Sequence, residues 1–198
     1  MEPDLEAQQK AFDALKQLDI PYEVVSHPAA GTIDEITTTG ILEHGEIPKN
    51  LFLRDNCGKR HILVVIRSDK KADLKAIARQ LPSSRLSFAS EDRLERYLGL
   101  KKGSVTPIGV INDRQCAVEV VFDRDLQGLE RVGFHPNDNH ATVFLRFADI
   151  CRLIEAHGNR VSFVEVWIPG GFQMEAFLRQ GRPSFFRVTA SWAAAGTV

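Results

Sequence analysis

Residues 51 to 66 read LFLRDNCGKRHILVVI. Two apolar runs flank NCGK, residues 56 to 59, and an asparagine and a glycine between such runs are the chemistry of a tight turn, so the stretch predicts a β-hairpin. After His61 the second run, HILVVI, lacks the polar alternation of a half-exposed strand. It is therefore read as a strand apolar enough to lie at the centre of a sheet.

Working outward, Leu5, Ala11, Phe12, Leu15 and Leu18 recur at three- and four-residue spacing. They predict an amphipathic helix that Pro21 ends. YEVVS follows as a short strand, and Thr32 with Glu35 forms a capping box for a helix through about Leu42. Beyond the hairpin, ADLKAIARQL reads as helix, RLSFAS as extended chain, and EDRLERYLG as a helix closed by Gly99. TPIGVI, a turn at Asn112–Asp113, and AVEVVFD predict a second hairpin. ATVFLR is extended, FADICRLIEAHG is a helix stopped at Gly158, and VSFVEVWI is a last strand. Without strict βαβ alternation, this order predicts one α+β domain around a mixed sheet surrounded by helices. After Ile168, glycine–proline breaks and the loss of any period mark residues 169–198 as a C-terminal appendage of uncertain order.

Composition narrows the function. With 198 residues, of which 43% are hydrophobic, the chain suits one sizeable core. A formal net charge of -1 argues against tight non-specific binding of nucleic acid and leaves local patches such as Lys70-Lys71 and Lys101-Lys102. Cys57, Cys116 and Cys151 form no CxxC pair, which suits a reduced cytosol and buried small side chains. The polar start MEPDLEAQQK and the lack of any run near the roughly 18 apolar residues of a membrane span predict a cytoplasmic protein without a membrane partner.

The chemistry concentrates in two places. GFHPNDNHAT, residues 133 to 142, holds His135, Asp138 and His140, whose H-x-x-D-x-H spacing across a proline is a poor metal motif. KKGSVTP offers Ser104 as a nucleophile, but not on the strand-to-helix elbow that serine hydrolases use. The same stretch carries a GSVTP turn, where Gly103 opens unusual backbone conformations and Pro107 fixes the exit, so its amides can face an oxyanion. Lys49 and Asn50 open the first hairpin strand with a cation and an amide.

Three segments taken together, PKNLFLRD (48–55), RLSFASEDRLERYLGLKKGSVTPIGVIND (85–113) and GFHPNDNHATVFL (133–145), resemble the YbaK/prolyl-tRNA synthetase insertion-domain family of aminoacyl-tRNA editing deacylases. The similarity runs over roughly residues 5 to 168, and 1–168 is accordingly the expected editing domain. The subgroup most similar is the freestanding prolyl-tRNA editing proteins, which clear alanine from proline tRNA. The resemblance implies a partly barrel-like sheet and hydrolysis without metal, cofactor or covalent intermediate. It casts Lys49 and Gly103 as catalytic, Lys49 by holding the terminal nucleotide and Gly103 through backbone amides. Asn50, Ser104, Pro107, His135 and Asn137 become substrate-binding, with Asn137 and Pro136 holding His135 as a pocket wall and Asp138 and Asn139 capping the turn. Implied partners are the acceptor end of tRNA(Pro) and, transiently, prolyl-tRNA synthetase or an elongation factor. Cysteine, serine or threonine as the cleared residue, a catalytically silent tRNA-binding module, and a metal-dependent hydrolase using His135 and His140 stand as alternatives.

Overall fold

A computed structural model describes residues 2–30 and 40–167. Helix α1 (Leu5–Gln17) is capped by Asp4, whose carboxylate accepts the Ala7 N–H, and buries Ala11 and Leu15. Strand β1 (Glu23–Ser26) follows. The helix expected from Thr32 falls mostly on residues 31–39, outside the described residues, and its end, Ile41–His44, is one 3-10 turn.

The opening hairpin forms as read. β2 (Lys49–Arg54) pairs antiparallel with β3 (His61–Ile66), from Lys49↔Ile66 to Arg54↔His61. All six residues of β3 are buried, and its other edge pairs in parallel with β5 (Val118–Asp123), which pairs in parallel with β8 (Val161–Val164). The two-residue β4 (Ser87–Phe88) sits on the outer side of β2, giving the order β4-β2-β3-β5-β8. β1, β6 (Val132–Phe134) and β7 (Ala141–Leu145) form a separate antiparallel sheet with β7 in the middle. The strands thus divide between two sheets. The sheets are tied where Glu46, three residues before β2, takes an N–H···O bond to Arg131 and accepts one from Gly133. That link carries the small sheet round to the large one.

The remaining helices are α2 (Leu74–Gln80), α3 (Glu91–Leu98) and α4 (Phe147–His157), and none of the described helices is long and apolar enough to cross a membrane. Asp73 and Ser90 cap α2 and α3, while Gly99 and Gly158 close α3 and α4 in the left-handed conformation. One face of β3 packs Ile62, Val64 and Ile66 with Leu53 and Val121 beneath Ile77 of α2. The other buries Leu63 and Val65 with Phe52, Val120, Phe122, Phe134, Val143 and Ile150. Each such side chain contributes about 1.5–3 kcal/mol by leaving water.

The second hairpin does not form. Pro107–Asn112 is a 3-10 helix, and β5 joins the sheet in parallel instead. An apolar run of six is ambiguous between strand and buried helix, and here the start decides it: Thr106 accepts the Ile108 N–H through its hydroxyl, and Pro107 stands at the first helical position. Asn112 and Asp113 make no hairpin turn. The Asn112 amide donates to the Leu98 carbonyl, and Asp113 accepts from Val118 N–H and the Asn159 amide.

His61, at the start of β3, is buried, stacked 3.9 Å from the Tyr97 ring, with the Arg93 guanidinium 2.7 Å from Nε2. Burial first, then the Arg93 charge, hold its pKa below the ordinary 6.5. The unfolded chain therefore binds this proton more readily than the folded one. Its contribution is complete above pH 6.5 and is lost as pH falls from there toward the depressed folded value. Urea unfolding between pH 7.5 and 5 should show stability falling with pH, and His61→Phe should flatten part of that slope. An unaltered slope would remove His61 from the account.

Candidate active site

The short β4 shapes the site. It reaches β2 only at Leu53 and Arg54, after which the Ala89 N–H donates to the Phe52 carbonyl at 3.0 Å. Main-chain groups alternate sides along a strand. The N–H and C=O of Asn50 therefore point to the same side as those of Phe52, away from β3 and onto an edge that β4 does not cover. Side chains alternate too: Asn50 follows Phe52 toward the larger core, while Lys49 and Leu51 share the face of Leu53.

Against this edge lies a cleft of about 470 Å³ whose lining includes Asn50, Phe52, Phe88, Leu94, Lys102 and Val105. Its walls are mainly apolar with few polar groups, the usual make-up of a small-molecule site. The Asn50 Oδ1 itself is buried and has no hydrogen-bond partner among the described residues. An unsatisfied buried acceptor costs about 1–3 kcal/mol.

The expected site residues separate into three groups. Asn50 meets the 102–105 turn in the cleft. In that turn Gly103 adopts φ 87, a left-handed angle that favours glycine, and the Ser104 N–H closes back on the Lys101 carbonyl at 3.1 Å. Ser104 is buried, so its amide is already used, and Pro107 starts the buried 3-10 helix beyond.

Lys49 stands apart on the opposite face of β2, where its Nζ donates to the Lys70 carbonyl at 2.9 Å. Lys70 is itself buried, its Nζ 2.9 Å from Asp123 and 2.6 Å from Asp125. Burial opposes the Lys70 charge, but these carboxylates outweigh it and raise its pKa.

His135 and Asn137 form the third group, in the β6–β7 hairpin, and neither lines the cleft. The Ala141 carbonyl accepts the His135 Nδ1–H at 3.0 Å, which leaves Nε2 as the acceptor. Burial dominates and lowers the His135 pKa, which favours the uncharged ring. Asn137 takes a left-handed φ of 62, with Oδ1 buried and unpartnered among the described residues. Asp138 does more than cap the turn: it accepts from Asp4 N–H, the Gln8 amide, His140 N–H and the His140 ring, tying the hairpin to α1. Those bonds outweigh burial and lower its pKa. Among the described residues no group of three His, Cys, Asp or Glu is placed to hold a metal.

Two residues were not legible as site residues. His27 lies 5.9 Å from the His135 ring, with its Nε2 3.0 Å from the Thr142 hydroxyl; its signal is a second His-Pro pair, His27-Pro28, matching His135-Pro136. Phe88 borders the cleft, and an aromatic inside the extended stretch RLSFAS carries no site signal of its own.

The chain is similar to the prolyl-tRNA editing protein ProX of Acetoanaerobium sticklandii, with 45% identity over 163 residues, 82% of this chain and 99% of the relative. It is also similar to prolyl-tRNA synthetase associated domain-containing protein 1 of Danio rerio, 34% identical over 71% of this chain and 77% of that one. A solved structure described as a "putative trans-editing enzyme for prolyl tRNA synthetase" matches its fold with a TM-score of 0.63 at 21% identity, over 81% of this chain and 96% of that one. The family model for the aminoacyl-tRNA editing domain matches residues 27–153, which take in the β2 edge, the 102–107 turn and the His135 hairpin. The chain belongs to the aminoacyl-tRNA editing domain family.

Proposed function

We propose that this aminoacyl-tRNA deacylase clears alanine from mischarged tRNA(Pro), holding the aminoacyl ester at the open edge of β2. Asn50 carries the proposal. An aminoacyl ester presents an α-ammonium donor beside a carbonyl acceptor, and Asn50 turns a main-chain carbonyl and N–H to the same open edge. A cationic donor strengthens such a bond to roughly twice a neutral one. The identity of tRNA(Pro) is supported by the 45% identical relative, named as a prolyl-tRNA editing protein.

In this reading water attacks the ester carbonyl carbon. The tetrahedral intermediate collapses with cleavage of the acyl C–O bond, and the water proton passes to the ribose oxygen, with the neighbouring ribose hydroxyl positioning the water. The products are free alanine and tRNA. An aminoacyl ester is already activated, so orientation and oxyanion stabilisation supply the rate. Because the Ser104 amide closes its own turn, the oxyanion role passes to the neighbouring amides of Gly103 and Val105. Lys49, on the other face of β2, suits the nucleotide end: one of its three N–H donors is spent on the Lys70 carbonyl, which aims the ammonium.

Selectivity is steric. Rejection of the proline ring by clash in the part of the cleft that takes the side chain discriminates better than one methylene of attraction, which is worth only about 1–3 kcal/mol. His135 stands behind the cleft and bears on its shape through packing, since its neighbour Phe134 shares a core cluster with Phe52, which lines the cleft. We place this activity in the cytoplasm, on tRNA passing from prolyl-tRNA synthetase to elongation factor, with transient contact to either.

Single-turnover deacylation of alanyl-, seryl-, cysteinyl- and prolyl-tRNA(Pro) tests the scheme. Wild type should favour the alanyl ester and spare the prolyl one. Lys49→Ala should lower the alanyl rate roughly 10- to 150-fold, the equivalent of a charge-assisted bond of about 1.5–3 kcal/mol. His135→Ala should raise prolyl relative to alanyl hydrolysis. A uniform fall across all four esters, on the order of 10²–10⁴, would instead make His135 a general base. Faster removal of serine or cysteine than alanine would reassign the substrate.

A further inference from the structure

Phe88 is an aromatic side chain left 64% exposed at the rim of the cleft. Its register partner is Leu53, so it stands on the face of β2 that also carries Leu51 and Lys49. Leu86, two residues earlier on that face, is buried in the cluster beneath α2, whereas Phe88 is not. The edge strand gains nothing in stability from keeping a phenyl ring in water.

We infer that Phe88 is the stacking platform for the base of the 3′-terminal nucleoside of the substrate, an inference that rests on the aminoacyl end occupying the cleft as proposed above. An unpaired terminal base presents a flat π-face, and proteins that take single-stranded RNA ends hold such bases on exposed aromatic rings. The surroundings suit a nucleotide better than an apolar peptide. Lys102 lines the same cleft with its side chain 82% exposed, and its ion pair to Glu91 is long at 3.7 Å and open to solvent. Lys49 lies on the Phe88 face. Asn50, on the other face, meets the amino acid, so the substrate crosses the strand edge with its ester at Asn50–Leu51 and its base on Phe88.

The test compares kcat/KM for alanyl-tRNA(Pro) with that for an alanyl ester of a base-free ribose, in wild type, Phe88→Ala, Phe88→Leu and Phe88→Trp. Phe88→Ala should lower the tRNA value by roughly 5- to 150-fold more than it lowers the base-free value. Phe88→Trp should restore the difference, and Phe88→Leu, apolar but without a π-face, should not. Equal losses on both substrates, or full activity in Phe88→Leu, would reduce Phe88 to an apolar wall and overturn the inference. Those outcomes leave the deacylase reading intact. A wild-type protein inactive on alanyl-tRNA(Pro) would overturn both.

Discussion

β3 is hydrogen-bonded along both edges, antiparallel to β2 and parallel to β5, and buried on both faces. With no water available on any side, each of its main-chain groups must be met by a neighbouring strand, and that requirement fixes the registers of both neighbours. Placing Lys49 and Asn50 opposite Ile66 and Val65 brings the start of β2 to the end of β3. The parallel register brings Asp123, the last residue of β5, to the same end. There it holds Lys70 and accepts the Arg67 N–H at 3.4 Å, and the turn so held presents the carbonyl that receives Lys49. The position of Lys49 thus derives from a strand that contributes no residue to the cleft.

The outer edge of β2 is the complement of this closure. Proteins commonly cover or charge an exposed edge, because unpaired N–H and C=O groups recruit other strands. Here β4 covers two residues and stops, while α3 and the 102–105 turn stand off from the rest and enclose the cleft. The gap fixes polar main-chain groups in a partly apolar recess, where they are worth more than in open water, and the proposed function draws on it.

Local pattern made much of the fold legible. HILVVI is long and apolar enough to be read as central, and Gly99 and Gly158 mark helix ends by backbone chemistry. TPIGVI was misread because its apolar residues bury equally well in a strand or a 3-10 helix, and the outcome rested on the Thr106 hydroxyl and on packing so close that a Cβ on Gly109 would come within 2.6 Å of Leu100. The split into two sheets depends on pairings remote in sequence, such as Glu23 with Phe144, that no local pattern encodes. At the site, residue types were legible and groupings were not. Lys49 and Asn50 are adjacent in sequence but face opposite ways, and the charged pattern of the His135 loop hid that Asp138 serves α1.

The central claim is that the aminoacyl end of the substrate pairs with the open edge of β2. Amide chemical shifts of isotope-labelled protein, titrated with an alanyl-adenosine analogue whose ester is replaced by a stable amide, test it most directly. The account predicts the largest changes at the Asn50 main-chain N–H and across Gly103–Val105. Changes absent there, and concentrated instead at the separate polar recess formed by Arg96, Asn112 and Arg114, would contradict it.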